Sequence, residues 1–366
     1  MHQEIQGTQL SSIVQPLLHW YEKQARVLPW RERPEPYRVW LSEIMLQQTR
    51  VEAVKPYYER FLDALPDIPA LAQASEDQLM KLWEGLGYYS RVRNLQKAAQ
   101  IVVREYGGKL PADVSLLQKL PGIGPYTAGA IASIAYGIPA PAVDGNVLRV
   151  VSRICASRAD ILNAKVKKMV EQAIREILPP SRARDFNQAL MELGAMVCLP
   201  NGIAKCHCCP VSHLCRAHQE DIVMELPVKT PKKPRTIQWK TIVVLFCENR
   251  TALRRRPPSG LLAGMWELPN YEGSLSKDEV VHLIESQGGN ISSVYSLRPA
   301  KHIFTHIEWH MTGYAVILNH LLENDEWEWV DLSQLQNQYA LPGAFHSYTQ
   351  FIEKQLLELS FPGQGK

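Results

Sequence analysis

The sequence predicts a multidomain chain of two fold classes, an all-α domain over residues 1–225 and an α+β domain over residues 241–366. Three observations carry this. Apolar residues recur at helical spacing from residue 10 to 220, with no convincing alternation of the strand type. At Val228–Lys240 the composition shifts: five basic residues, two prolines and no acid mark residues 226–240 as a linker, with a charge suited to lie along phosphates. From Thr241 onward, β-branched and aromatic runs alternate with helical stretches.

In chain order, the helical segments are Leu10–Gln24, Tyr37–Gln48, Val51–Leu62, Glu76–Glu84, Val92–Tyr106, Val114–Leu120, Tyr126–Tyr136, Val147–Ser157, Val166–Leu178 and Ala183–Val197, separated by short polar punctuation. Beyond the linker, Ile242–Phe246, Val294–Leu297, Gly313–Leu318 and Trp327–Val330 read as strands, with helices at Lys277–Ser286 and Phe345–Leu359 between and after them. No internal repeat interrupts this order.

At 366 residues the chain is comfortable for two domains, and 46% hydrophobic residues supply cores for both. A net charge of +3 and a pI near 8.4 are compatible with nucleic acid without demanding it. The uncharged run Leu120–Val143 is long enough to raise a membrane span, but its four prolines and four glycines make it a hairpin and helix instead. Met1-His-Gln-Glu-Ile lacks the basic start and apolar stretch of a secretory signal, so a soluble, cytoplasmic protein with no membrane partner is expected.

Three constellations carry chemistry. In Leu120-Pro-Gly-Ile-Gly-Pro125, Gly122 and Gly124 form a tight turn, and Pro125 suits a first helical position. Such a turn aims backbone N–H groups outward at a phosphate and reads no base edge. Downstream, Asp144 lies in Pro141-Ala-Val-Asp-Gly-Asn-Val-Leu-Arg149, placed either for catalysis or to cap the helix that follows. Glu43 shares a helix face with Val39, Trp40 and Gln47. It is either a surface carboxylate bordering the core or a partly desolvated one whose raised pKa suits a general acid. Finally, Cys198-x7-Cys206-x2-Cys209-x5-Cys215, with Cys208 inside it, concentrates five of the seven cysteines in 18 residues. That spacing suits tetrahedral zinc or a cubane iron–sulfur cluster, and does not decide between them. Cys155 and Cys247 read as buried structural residues.

The hairpin, the Asp144 segment, Trp40-Leu-Ser-Glu-Ile-Met-Leu-Gln-Gln-Thr49 and the cysteine run together resemble the helix-hairpin-helix base-excision glycosylases related to endonuclease III, over roughly residues 10–220. Further motifs narrow the resemblance to the MutY-type adenine glycosylases. It implies a [4Fe–4S] cluster on Cys198, Cys206, Cys209 and Cys215, although the first gap here is one residue longer than the family's C-x6-C-x2-C-x5-C. It also implies catalysis by Glu43 and Asp144, with Tyr126 beside them. Relatives that cleave the strand carry a lysine where Tyr126 stands, so a glycosylase without lyase chemistry is expected. The resemblance maps Arg26, Trp30, Arg31, Leu46 and Gln188 to an adenine pocket, and Gln48 and Tyr88 to the residues that fill the vacated base stack.

Through Gly264-Met-Trp-Glu-Leu-Pro269, the second domain resembles the Nudix-like domain attached to these enzymes. A Nudix hydrolase needs an Arg-Glu-x-x-Glu-Glu helix to hold magnesium. The segment after Pro269 offers only Glu272, Asp278 and Glu279, so a recognition module without hydrolase activity is expected. Phe304-Thr305-His306 stands where the family usually has Phe-Ser-His, which reads 8-oxoguanine. The expected substrate is therefore duplex DNA with adenine opposite 8-oxoguanine or guanine. A monomer is expected, nucleoid-associated in a bacterium, with a sliding clamp as a conceivable partner through a motif near the C-terminus. The competing readings are an oxidised-pyrimidine glycosylase with lyase activity, an iron–sulfur DNA-binding protein without catalysis, and a nucleotide pyrophosphohydrolase.

Overall fold

The computed structural model describes residue 5 and residues 7–200, 204–231, 233–322 and 325–360. The last six residues, where a clamp-binding motif could lie, fall outside them. The chain divides into two compact units: Met1–Gln73 with Arg93–Pro231, and Ala74–Val92 with Lys232–Lys366. Among the described residues, no helix is long and apolar enough to cross a membrane.

The first unit is helical, and the expected helices form within a few residues of their expected ends. Its core joins Leu10, Ile13 and Leu17 near the N-terminus to Val147, Val151 and Ile154 of the Gly145–Ile154 helix, and to Phe186, Leu190 and Leu193 of the Ala183–Met196 helix. These residues recur at three- and four-residue intervals, so each helix buries one stripe.

The hairpin turns through Gly122, whose φ of +77° an L side chain rarely adopts. Pro125 opens the next helix at its first turn. The helix expected to run to Tyr136 is regular only over Pro125–Ala130, then widens into a π-type turn at Ile131–Ala135. Buried Asn187 organises what comes next. Its amide donates to Ser133 Oγ at 2.9 Å and Ala140 O at 2.8 Å, and it accepts from Ala142 N at 3.1 Å. One side chain thereby fixes the non-helical stretch that delivers Asp144.

The second unit is built on a mixed sheet. Its strands are β1 (Thr236–Cys247), β2 (Arg250–Arg255), β3 (Trp266–Glu267), β4 (Asn270–Glu272), β5 (Ile291–Ile303), β6 (Ile307–Leu318) and β7 (Trp327–Val330). The order is β3-β2-β1-β6-β5, with β4 paired to β1 and β7 to β2. β1 lies parallel to β6 over its whole length. Alternation sends Ile242, Val244 and Phe246 toward Tyr348, Ile352 and Leu356 of the His346–Ser360 helix. Val243 and Leu245 face Val280 and Ile284 of the Lys277–Ser286 helix. A strand buried on both faces reads as the continuous apolar run seen here.

β5 and β6 run longer than the expected Val294–Leu297 and Gly313–Leu318, and the domain limits differ from the sequence reading in two places. β1 starts at Thr236, so the last five residues of the expected linker are strand. Their polarity is inverted: Ile237 and Trp239 face outward, whereas Gln238 accepts from Trp309 Nε1 at 2.8 Å and Lys240 pairs with Glu272. The segment 74–92, read as part of the helical domain, belongs instead to the second unit.

Candidate active site and cysteine cavity

One large cleft of the first unit is lined by Arg26, Trp30, Arg31, Glu43, Leu46, Gln48, Gly122, Gly124, Tyr126, Asp144 and Gln188. Every site residue expected from the first unit, apart from the cysteines, reaches this one space. Trp30 is buried edge-to-face against Tyr58, with ring centroids 5.3 Å apart. Gln48 is exposed and has a φ of +61°.

Glu43 is buried on the Pro36–Leu46 helix. Burial pushes its carboxyl up to about 7, against the lowering effect of the hydrogen bond that the Tyr126 hydroxyl donates to Oε2. Tyr126 also approaches Met191 Sδ at 3.3 Å, and burial beside Glu43 raises its phenol well above the ordinary value. A carboxyl near 7 holds a proton about half the time at neutral pH, the condition a general acid needs.

Asp144 caps the Gly145–Ile154 helix: Oδ1 accepts from Val147 N at 2.8 Å and Oδ2 from Asn146 Nδ2 at 2.6 Å. Burial raises its pKa, and these donors oppose the rise by favouring the anion. The two readings of Asp144 are compatible, because the cap fixes the carboxylate on the cleft wall. Asn146 in turn accepts from Arg149 at 2.9 Å, and Arg149 donates to Gly194 O at 2.9 Å and Cys198 O at 2.8 Å.

Gly194 permits this close approach, since a Cβ there would meet Asn146 Cβ at 2.6 Å and Asn146 Cα at 3.2 Å. Gly194→Ala is therefore expected to cost about 2 kcal/mol, within the range for overpacking. Urea unfolding of the variant beside the parent chain measures it.

Glu192 was not singled out by the sequence reading. It is 1% exposed and takes Arg26 Nε at 2.6 Å, Arg26 Nη2 at 2.9 Å and Arg31 Nη2 at 2.8 Å. Burial alone would raise its carboxyl, but the two guanidinium groups hold it down at about 2. Arg31 also donates to Arg26 O at 3.0 Å, so both arginines are fixed beside the cleft. A signal existed, because Glu192 stands four residues after Gln188 on one helix face.

Cys198, Cys206, Cys209 and Cys215 line a second cavity, floored by Val150, Ile154, Leu193 and Val197. Buried Arg153 donates to Cys198 Sγ at 3.1 Å and Leu199 O at 2.9 Å. Cys208 is exposed and donates its thiol to Lys205 O at 3.3 Å. Burial raises the thiol pKa of Cys206 and Cys215, and pushes Cys209 up to about 12. Among the described residues, no three His, Cys, Asp or Glu side chains close around a single ion.

In the second unit, Phe304–His306 forms the tip between β5 and β6. Phe304 packs edge-to-face on Trp309 at 4.9 Å and on His302 at 4.6 Å, while Thr305 and His306 are exposed. The tip is tied down by Phe304 N to Ile307 O at 2.8 Å and Arg235 Nε to Phe304 O at 3.0 Å. Tyr88 belongs to this unit too and is 46% exposed. Of the carboxylates considered for magnesium, Glu272 pairs with Lys240 and Glu279 closes a capping box with Ser276.

Residues 41–180 match the family model of the HhH-GPD superfamily base excision DNA repair proteins, and residues 241–350 that of the NUDIX domain. A solved thermostable thymine-DNA glycosylase aligns with a TM-score of 0.53 at 27% identity, over 58% of this chain and 98% of that one. The helical fold, its cleft and these matches define a DNA glycosylase of base excision repair, a hydrolase joined to a Nudix-like domain. The chain is 33% identical over 393 residues to the adenine DNA glycosylase of Schizosaccharomyces pombe, covering 88% of this chain and 85% of that protein. It is 32% identical over 329 residues to that of Buchnera aphidicola subsp. Baizongia pistaciae, covering 88% and 92%. The chain belongs to the adenine DNA glycosylase family.

Proposed function

We propose that this glycosylase flips adenine out of duplex DNA where it is mispaired with 8-oxoguanine or guanine and hydrolyses its N-glycosidic bond. The observation that carries the reading is Glu43, buried with a carboxyl near 7 in the same cleft as Asp144 and Tyr126. Protonated Glu43 gives its proton to adenine N7, which turns the base into a competent leaving group. The C1′–N9 electron pair departs with adenine and leaves positive charge on the sugar. The fixed Asp144 carboxylate stabilises that oxocarbenium-like species. Water adds at C1′ and returns a proton to Glu43. Tyr126 orients Glu43, and with a phenol in place of an amine no Schiff base forms, which favours a glycosylase without lyase activity.

Trp30, Leu46, Arg26, Arg31 and Gln188 enclose the extruded base in this reading. Gln48 and Tyr88 fill the gap, and Gly122 and Gly124 meet the sugar–phosphate backbone. Thr305 keeps a hydroxyl at the exposed tip for 8-oxoguanine, beside Phe304 and His306. The four cysteines would hold a [4Fe–4S] cluster. They line one cavity, and four thiolates in one short stretch of chain are a ligand set that such a cluster takes. Its chemistry there would be structural, tying together the stretch of chain that carries the four cysteines.

Single-turnover adenine release tests the reading on duplexes with adenine opposite 8-oxoguanine, guanine and thymine. Release is expected from the first two, fastest opposite 8-oxoguanine, and lost in Asp144→Asn. Efficient borohydride trapping of a covalent protein–DNA adduct would instead favour the lyase reading.

A further inference from the structure

The segment expected to carry the stack-filling Tyr88 is gripped by the unit that carries the Phe304–His306 tip. The Glu76–Trp83 helix leads into it, and Lys81 of its last turn and Glu84 at its C-cap make a polar clasp. Lys81 Nζ donates to Leu335 O at 3.1 Å and Tyr339 O at 3.2 Å, and pairs with Glu84 Oε2 at 2.7 Å. The other Glu84 oxygen accepts from Leu341 N at 2.7 Å. The partners are anchored by packing: Leu335 and Leu341 are buried in the core of the second unit, and Tyr339 packs edge-to-face on Trp266 at 4.9 Å. Both charged side chains are largely buried, at 21% and 30% exposure, and each meets backbone groups as well as its ionic partner. Arg255 adds weaker, exposed contacts to Glu76 and Asp77.

Beyond the clasp the loop is held in a costly conformation. Gly85, Gly87 and Tyr88 have φ of +96°, +68° and +49°, and for tyrosine this is an uncommon backbone state. Arg91 holds the loop with one nitrogen, donating to Leu86 O at 2.9 Å and Gly87 O at 3.0 Å, while Trp83 Nε1 donates to Gly87 O at 3.1 Å. The Arg91 guanidinium also lies 5.2 Å from the Trp83 ring centre and 5.7 Å from that of Tyr88. A side chain that enters a base stack works against the stacking of its neighbours, so its mount must not yield. Here the mount continues from Tyr88 through Arg91 and Trp83 to Lys81 and Glu84.

We infer that Lys81 and Glu84 are positioning residues for Tyr88, coupling base extrusion to the unit that reads the opposite base. This rests on the reading of Tyr88 as a stack-filling residue. The test uses the full chain and a duplex with 2-aminopurine beside an adenine opposite 8-oxoguanine, following unstacking by stopped-flow fluorescence. Lys81→Met and Glu84→Gln should each slow the fluorescence rise roughly tenfold, the scale of one charge-assisted hydrogen bond. Lys81→Met combined with Tyr88→Ala should be no slower than Tyr88→Ala alone, because both act through one residue. Additive slowing in the double variant would overturn the inference and leave the clasp a stabilising contact only. Unstacking at the parent rate in the clasp variants, with Tyr88→Ala slow, would also overturn it and leave the Tyr88 reading intact. Normal unstacking in Tyr88→Ala would remove that reading itself.

Discussion

Glu43→Gln is expected to lower single-turnover adenine release by roughly 10³-fold, within the range for removing a positioned general acid. The amide keeps the shape and a hydrogen bond to Tyr126 but has no proton to give to N7, so DNA binding should change little. The parent chain should show the matching pH dependence. Because burial pushes Glu43 up to about 7, release should fall about tenfold per pH unit above that value, as the acid form is depleted. The same shift fixes a sign for stability. A carboxyl raised in the folded state contributes stability fully present below its unfolded pKa, which is lost as pH rises through about 7. The neutral Glu43→Gln variant should therefore match or exceed the parent in melting temperature above pH 7. Lost release with retained melting would assign the defect to chemistry rather than folding, and parent-like release would remove Glu43 from the mechanism.

Glu192→Gln is expected to be the most destabilising single change in the cleft, by about 3 kcal/mol. That is the low end for breaking a buried ion pair, because Arg26 keeps 30% of its side chain in water. The cost arises from two guanidinium groups left without their anion, which at 30% and 17% exposure can rehydrate only in part. The pH dependence runs opposite to that of Glu43. A carboxyl held down at about 2 contributes stability above its ordinary value of 4.5, lost as pH falls from there toward 2. Chemical denaturation of parent and variant at pH 7 and pH 3 should show the gap narrowing. An equal gap at both would mean the carboxylate is not what holds Arg26 and Arg31.

The helical half was legible because each helix buries one stripe, and hydrophobic spacing reports that directly. The Lys277–Ser286 helix and the Trp327–Val330 strand were placed to the residue. The short strands β2, β3 and β4 were not seen. Arg250–Arg255 is bounded by arginines at both ends and buries only Thr251, Ala252 and Leu253, too short a run to read as alternation. The start of β1 was hidden by its inverted polarity. The assignment of 74–92 to the second unit was beyond sequence pattern, since Lys81 and Glu84 read as an ordinary helix-surface pair until their backbone partners are known. In the cleft, Glu43 and Asp144 stood out through local motifs. Glu192 offered only its helical spacing from Gln188, because what distinguishes it is contact with Arg26, 166 residues away.

That same kind of separation sets the order in which the molecule can be completed. Lys81 leaves the ribosome well ahead of Leu335, which lies 254 residues further along. At ordinary rates of synthesis the delay is on the order of 10–50 s. The helical unit can close its core in that interval, but residues 74–92 have no 335–341 turn to grip. The sheet is no faster, because β1 must wait for β6, its parallel partner some 70 residues on, and such non-local pairing forms late. On the proposed role of Tyr88, the loop meant to enter the base stack is thus assembled last, and a nascent or C-terminally shortened chain is expected to have a formed cleft and that loop unmounted.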